Sequence, residues 1–127
     1  MAVKFKVLPR KNPQDLLAPE KYYAAVINNG EVDMETLAGM IAYQSTLTDT
    51  DCYAVLMSLE HNIISELSQG RIVRLGKLGN FQVSISSGGK DTPEEVSAND
   101  IVNNRILFRP GKKLRSMLSI LTYRKAS

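Results

Sequence analysis

The chain contains no tryptophan, and aromatic residues account for only 6% of it. Proteins that read single-stranded nucleic acid need several exposed rings on which successive bases can stack. With so few aromatic residues, we do not expect a fold built on base stacking.

Cysteine and histidine are almost absent. Cys52 and His61 are the only residues of their kinds, so no intramolecular disulfide forms and no zinc site can rest on thiolates. Both lie in a segment with helical periodicity, where we expect Cys52 to be a small core residue and His61 a partly buried packing residue. No catalytic triad can then be assembled, and neither phosphate-loop glycine pattern occurs. We expect no catalytic residues, no metal site and no cofactor, and a protein that is not an enzyme.

Long apolar runs are also missing. No uninterrupted run is longer than "YYAAVI" (22–27), which is far too short to cross a bilayer. The opening "MAVKFKVLPR" alternates charged with apolar residues and lacks the apolar core of a signal peptide. We therefore expect a cytoplasmic protein.

Acidic residues are missing from one end of the chain, where the last carboxylate side chain is Asp100. Residues 1–70 carry five Lys/Arg and nine Asp/Glu, a net charge of −4, whereas residues 71–127 carry eleven and four, a net charge of +7. This asymmetry indicates a polyanionic partner, either nucleic acid or an anionic membrane. A basic surface that is only solvated is the alternative.

The first 32 residues are predicted to form a strand extension. "VKFKVLPR" (3–10) alternates apolar with charged residues, as a half-buried strand does. "YYAAVI" predicts a second strand, which ends at the turn Asn28-Asn29-Gly30.

Two helices are predicted next. Asp33 can cap the first, which runs to about Ser45, and Thr48 caps the second, with Asp51 in the capping-box position and Gly70 after the last turn. The expected buried stripes are Met34, Leu37, Met40 and Ile41 on the first helix, and Cys52, Leu56, Leu59, Ile63 and Leu67 on the second.

The remainder is predicted to be richer in strands. Residues 71–86 suggest two short strands joined by a tight turn at Gly76-Lys77, and 105–109 suggest another strand after a connection at 86–100. Pro110 and Gly111 introduce a last helix lined by Leu114, Met117, Leu118 and Leu121. The fold class is therefore α+β, with helices and sheet segregated.

Two motifs of this second half resemble those of the HU/IHF superfamily of bacterial histone-like DNA-binding proteins. "LSQGRIVRLGKLGNFQV" (67–83) is similar to the family's passage from a helix through glycine into a basic strand, and "FRPGKKLR" (108–115) is similar to its Phe–x–x–Gly–Lys–x–Leu–Lys element. The resemblance runs from Asp33 to Leu121, about two-thirds of the chain, and we assign residues 33–127 to an HU-like DNA-binding domain on which the extension (1–32) packs. The leading extension resembles a divergent HU-like branch in which the HU domain is sometimes fused to other modules.

The resemblance implies an intertwined homodimer whose sheets form a saddle for duplex DNA, in the cytoplasmic nucleoid and with no membrane partner. A dimer also follows from the apolar faces that short amphipathic helices and an open sheet leave uncovered. DNA would be bound almost without regard to sequence, through phosphates. The phosphate contacts implied are Arg74, Lys77, Arg105, Arg109, Lys112, Lys113 and Arg115, with Lys90 added from the arm.

The arm is where the chain departs from the family. Only 27 positions separate Phe81 from Phe108, fewer than in typical members, and the tip carries one lysine with Asp91, Glu94, Glu95 and Asp100. Two interpretations of Pro93 stay open. It is either the wedge that enters DNA, as the proline of the family's arm does, or the first residue of a helical turn capped by Thr92, which the acids favour.

The alternative function is an HU-like dimeric structural module that has lost DNA bending. Such a module would hold another protein through its basic surface or its amino-terminal strands.

Overall fold

The computed structural model describes residues 2–126. Its order of elements is two strands, two helices, three strands, a helix and a final short strand. The predicted α+β class is confirmed. The elements are β1 (Val3–Arg10), β2 (Lys21–Ile27), α1 (Met34–Tyr43), α2 (Asp49–Ser68), β3 (Val73–Arg74), β4 (Gly79–Ser87), β5 (Ile101–Pro110), α3 (Lys112–Ile120) and β6 (Tyr123–Lys125).

Contacts divide the chain into two compact units. One unit comprises the residues up to Asp33 together with those from Met117 onward, and the other comprises Met34–Ser116.

The first unit is a three-stranded sheet in the order β2-β1-β6. Strands β1 and β2 pair antiparallel, from Lys4 opposite Ile27 to Arg10 opposite Lys21. Strand β6 pairs parallel with β1, a pairing that the sequence did not predict. The predicted strands of the extension are thus confirmed, and the end of the chain adds a third.

The second unit contains the helical pair and a sheet in the order β3-β4-β5. Helix α1 begins directly after Asp33 and ends at Tyr43, two residues before the predicted Ser45. Helix α2 begins as predicted, because the Thr48 side chain accepts a hydrogen bond from the Asp51 N–H at 3.1 Å.

The core of the described residues is small. Only Ala38, Cys52 and Leu67 are buried apolar residues, and Cys52 is 1% exposed. Its predicted core position is confirmed. The predicted buried stripes are otherwise partly wrong for a single chain: Leu37, Met40 and Ile41 on α1 and Leu59 on α2 are exposed. These helices therefore carry apolar surface that their own chain does not cover.

Strands β4 and β5 form a long antiparallel hairpin that begins at Gly79 opposite Pro110. Phe81 lies opposite Phe108, and their ring centroids are 5.0 Å apart. Strand β5 begins at Ile101, four residues earlier than predicted, so the hairpin extends well beyond the two rings. A register shift between Ser86 and Ser87 interrupts the regular pairing, and Ser87 then lies opposite Ile101.

Candidate nucleic-acid interface

The sheet of β3, β4 and β5 sorts its side chains by chemistry onto two faces. Residues that are Cα partners across strands share a face, and so do alternate residues along each strand. Arg74 is paired with Asn80, Asn80 with Arg109, and Ser84 with Arg105. We call the face that these residues share the hairpin polar face; it comprises Arg74, Asn80, Gln82, Ser84, Ser86, Asn103, Arg105, Leu107 and Arg109.

The opposite face of the same sheet is apolar. The tilted Phe81–Phe108 pair lies on it, and the side chains beyond the rings toward the tip are exposed. Its apolar members are Val73, Phe81, Val83, Ile85, Ile106 and Phe108, and Asn104 lies on the same face opposite Ile85. A sheet with one apolar and one polar face leaves the polar face to water or to a polar ligand.

The turn between β3 and β4 docks onto the start of α3. Gly76 has φ of +58°, and the Leu78 N–H donates to the Leu75 carbonyl at 3.1 Å, as expected for the predicted glycine-first turn. The Leu78 carbonyl then accepts from the Gly111 N–H at 2.9 Å, and the Lys77 carbonyl from the Lys113 N–H at 3.3 Å. The backbone thus brings Lys77 beside the first turn of α3.

These hydrogen bonds bear on how a phosphate could be held at the start of α3. Cations at the start of a helix are unfavourable, and α3 has no acid in its first turn. A phosphate on the free N–H groups of a helix start would offset them. Because the N–H groups of Gly111 and Lys113 bond to turn carbonyls, these two are not open to a phosphate. The exposed side chains of Lys112, Lys113 and Arg115 are the cations at this end that could contact one.

Seven of the eight predicted phosphate contacts, all except Lys90, have no acidic partner among residues 2–126. Each is exposed, and none lies within ion-pair distance of a described acid. Three other cations do have acidic partners: Lys11 with Glu20, Arg71 with Glu66, and Lys90 with Asp100. The seven without such partners are Arg74, Lys77, Arg105, Arg109, Lys112, Lys113 and Arg115. Positive charge is therefore concentrated on the hairpin polar face and at the start of α3.

Lys90, the eighth predicted contact, is placed differently. Its ammonium group lies 3.5 Å from a carboxylate oxygen of Asp100. The other carboxylate oxygen of Asp100 accepts the Ser97 N–H at 2.8 Å, so this acid organises the tip. In the free protein Lys90 is thus drawn toward a carboxylate rather than held free for DNA.

The tip forms two single 3₁₀ turns. Pro93 is the first residue of the turn Pro93–Glu95, and a second turn spans Ala98–Asp100. The Val96 N–H donates to the Pro93 carbonyl at 3.3 Å. Thr92 precedes the first turn but makes no side-chain capping bond. The helical-turn interpretation of Pro93 therefore describes the free protein, without its predicted threonine cap.

The residues considered for catalysis or metal binding are dispersed. His61 is exposed, so its predicted packing role is wrong for the single chain. Between residues 2 and 126, no three His, Cys, Asp or Glu side chains converge as metal ligands would. No helix in the same range is long and apolar enough to span a membrane.

Sequence reasoning missed the neutral members of the hairpin polar face. Asn80, Gln82, Ser84 and Ser86 alternate with Phe81, Val83 and Ile85, which is a period-two signal that could have identified them. Amide and hydroxyl groups are common partners of phosphate oxygens and sugars in protein–DNA complexes. They surround the arginines with further hydrogen-bonding groups.

Solved structures share this fold. Over 70% of this chain and 99% of the other, it is similar to Anabaena HU in a cocrystal structure with DNA, with a TM-score of 0.56 and 21% identity. Over 98% of the chain it is similar to a candidate bacterial DNA-binding protein from Bacteroides vulgatus, with a TM-score of 0.69 and 12% identity. The chain spans about half of the length of the Bacteroides protein, of which it covers 48%.

No curated protein matches the sequence. A family model does match, over residues 1–125, and it is described as an HU domain fused to wHTH, Ig, or Glycine-rich motif. The resemblance to HU-like proteins is thereby confirmed, and it extends over the amino-terminal strands as well as the two motifs. The chain belongs to this HU-HIG family of HU domains.

Proposed function

We propose that this chain is a histone-like, nucleoid-associated protein that binds duplex DNA with little regard to sequence. One observation carries the proposal. The hairpin polar face holds Arg74, Arg105 and Arg109 among neutral hydrogen-bonding side chains, with no acid among its members. Such a face matches the phosphate backbone, which dominates the affinity of sequence-neutral binders.

The start of α3 would extend the same contact. Lys77, Lys112, Lys113 and Arg115 are exposed and have no described acidic partner. Their role would be to attract phosphate rather than to read bases, because specific base contacts need side chains placed in a groove by a projecting element. A binding role, rather than an enzymatic one, accounts for all of these residues.

A homodimer is part of the proposal. Leu37, Met40 and Ile41 expose a continuous apolar stripe on α1, and the apolar hairpin face is exposed as well. A second copy could cover both apolar surfaces, and removing them from water would stabilise the dimer.

The arm would contribute little to binding. Its tip exposes Asp91, Glu94 and Glu95, which repel phosphate, and pairs Lys90 with Asp100. We therefore propose that DNA lies on the body of the protein with little bending.

A salt series tests the function directly. Fluorescence anisotropy of two labelled duplexes of unrelated sequence, measured from about 50 to 200 mM salt, should give equal affinities and a steep common slope. Absence of binding at the lowest salt would reject DNA as the ligand and favour the protein-interaction alternative. A large difference between the two duplexes would reject sequence neutrality.

A further inference from the structure

The amino-terminal sheet carries a second cationic surface, separate from the residues assigned above. The positions of Lys4, Lys6 and Arg10 along β1 differ by even numbers, so the three residues share one face. Their cross-strand partners place further side chains on that face: Lys21 lies opposite Arg10, and Arg124 lies beside Lys4. We call these five residues the amino-terminal cationic face.

Two cross-strand pairs within this face place one cation beside another. Arg10 and Lys21 are partners at one end of the β1–β2 ladder, and Lys4 and Arg124 are partners in the β1–β6 ladder. Like charges at such positions destabilise a sheet. Each pair also lines its own shallow hollow on the surface, Arg10 with Lys21 and Lys4 with Arg124.

Nearby acids do not relieve this repulsion. Throughout residues 2–126, no ion pair involves a member of the face. Glu20, in the loop between β1 and β2, pairs with Lys11 instead, at 3.9 Å. The Arg10 guanidinium stacks on the Tyr23 ring, 5.5 Å from its centroid, which keeps that charge over the face.

We propose that the amino-terminal cationic face is a second contact surface for the phosphate backbone of duplex DNA. Arg10 lies six positions after Lys4, a distance of about 20 Å along an extended strand. One DNA strand offers a phosphate about every 3.4 Å along the helix axis, so both pairs can meet phosphates of one backbone. The surface thus offers two anchoring points along one stretch of duplex.

DNA fits the face better than an anionic bilayer does. Peripheral binding to an anionic bilayer combines insertion of apolar side chains with attraction between cations and lipid headgroups. The two faces of a sheet point in opposite directions, so apolar residues opposite the cations could not insert while the cations touch headgroups. Leu8, Tyr23 and Ile27 share the face with the cations, but the most exposed apolar side chains of β1 and β2, Tyr22 at 69% and Val26 at 61%, lie on the opposite face.

This proposal rests on the proposed function, namely that the chain binds DNA. The test below distinguishes a failure of this second surface from a failure of DNA binding itself. The full chain is titrated onto one labelled duplex across the same salt range. The test variant is Lys4→Gln combined with Lys21→Gln, which removes one cation from each pair and keeps the Arg10–Tyr23 contact. The matched control is Lys11→Gln combined with Arg71→Gln, which removes two cations that already have acidic partners.

We expect the test variant to lower the salt slope by about 1.8, or about 0.9 for each lost contact, and the control to leave it unchanged. An unchanged slope in the test variant, with binding intact, would overturn this proposal and leave the hairpin polar face as the interface. No binding by the wild-type chain would instead reject the proposed function itself.

Two further measurements separate DNA contact from a stabilising role of the cation pairs and from membrane binding. Melting at low salt should show the test variant at least as stable as wild type, because neutralisation relieves repulsion. A clearly lower melting temperature would show that the pairs stabilise the free sheet and would overturn the reason for expecting a ligand.

Vesicles containing phosphatidylserine should bind wild type and test variant equally. Vesicle binding lost in the test variant, with an unchanged DNA slope, would assign the face to membranes.

Discussion

A side chain on Gly111 would overlap the carbonyl group of Lys77. This close approach allows the turn before β4 to accept hydrogen bonds from the start of α3. The contact therefore couples the turn that carries Lys77 to the helix that carries Lys112 and Arg115.

Gly111→Ala should separate these elements. We expect a loss of about 1 to 3 kcal/mol of stability from the overpacking, together with weaker DNA binding. Gly88→Ala is the control, because a methyl group there meets nothing within 4 Å and its φ is not positive. Chemical denaturation of both variants measures the difference, and equal midpoints would show that the turn does not depend on this contact.

Arg109→Gln should weaken binding to all duplexes alike. Arg109 lies on the hairpin polar face opposite Asn80 and has no acidic partner among the described residues. Loss of one phosphate contact lowers the salt slope by about 0.9, and Lys112→Ala or Arg115→Ala should do the same. Arg71→Gln, which removes an arginine bonded to Glu66, should leave the slope unchanged. A slope that falls equally in Arg71→Gln would mean that only net charge matters.

Met40→Lys should dissociate the proposed dimer. Met40 is 48% exposed on the apolar stripe of α1, and a charge there could not be buried against a second copy. Light scattering after size exclusion should give about 28 kDa for wild type, twice the 14.1 kDa chain, and the monomer mass for the variant. Glu35→Gln, on the same helix and with the same change in charge, should stay dimeric. A monomeric wild type at micromolar concentration would disprove the dimer.

Local patterns explain which parts of the fold could be predicted. The Thr48 cap, the glycine-first turn at Gly76 and the alternation of Phe81, Val83 and Ile85 depend on residues close in sequence, so the sequence alone predicts them. The side on which a cation lies depends on strand register. Register pairs Asn80 with Arg109 and Lys4 with Arg124 over long separations, and no local pattern specifies it.

The three-residue strand β6 was missed for a related reason. Tyr123–Lys125 is too short to show a period, and it becomes a strand only because β1 offers an edge for parallel pairing. The apolar stripe on α1 was predicted at the correct residues, but the prediction that its own chain buries them was wrong. Apolar periodicity identifies a packing face without identifying what packs on it.

Asp100→Asn should strengthen DNA binding. The asparagine carbonyl can still accept the Ser97 N–H, while the attraction that holds Lys90 is removed. With Lys90 released and one repelling acid gone, we expect a higher affinity and a salt slope steeper by about 0.9. Asp91→Asn also removes one acid of the tip but has no described ion pair to break, so its slope should match wild type. No change in Asp100→Asn would show that Lys90 does not reach DNA.

The last prediction concerns Pro93 and bending. Pro93 begins a single 3₁₀ turn followed by Glu94 and Glu95, and these acids would face phosphate if the tip entered DNA. A minor groove about 6 Å wide does not readily admit a helical turn. Unstacking a base step costs a few kcal/mol. The one lysine of the tip is paired with Asp100, so attraction between the tip and phosphates would offset little of that cost. Pro93→Ala should therefore leave the affinity nearly unchanged, and energy transfer between dyes at the two ends of a bound duplex should show little shortening. A large shortening that disappears in Pro93→Ala would establish the proline as a wedge and would mean that the tip rearranges when DNA binds.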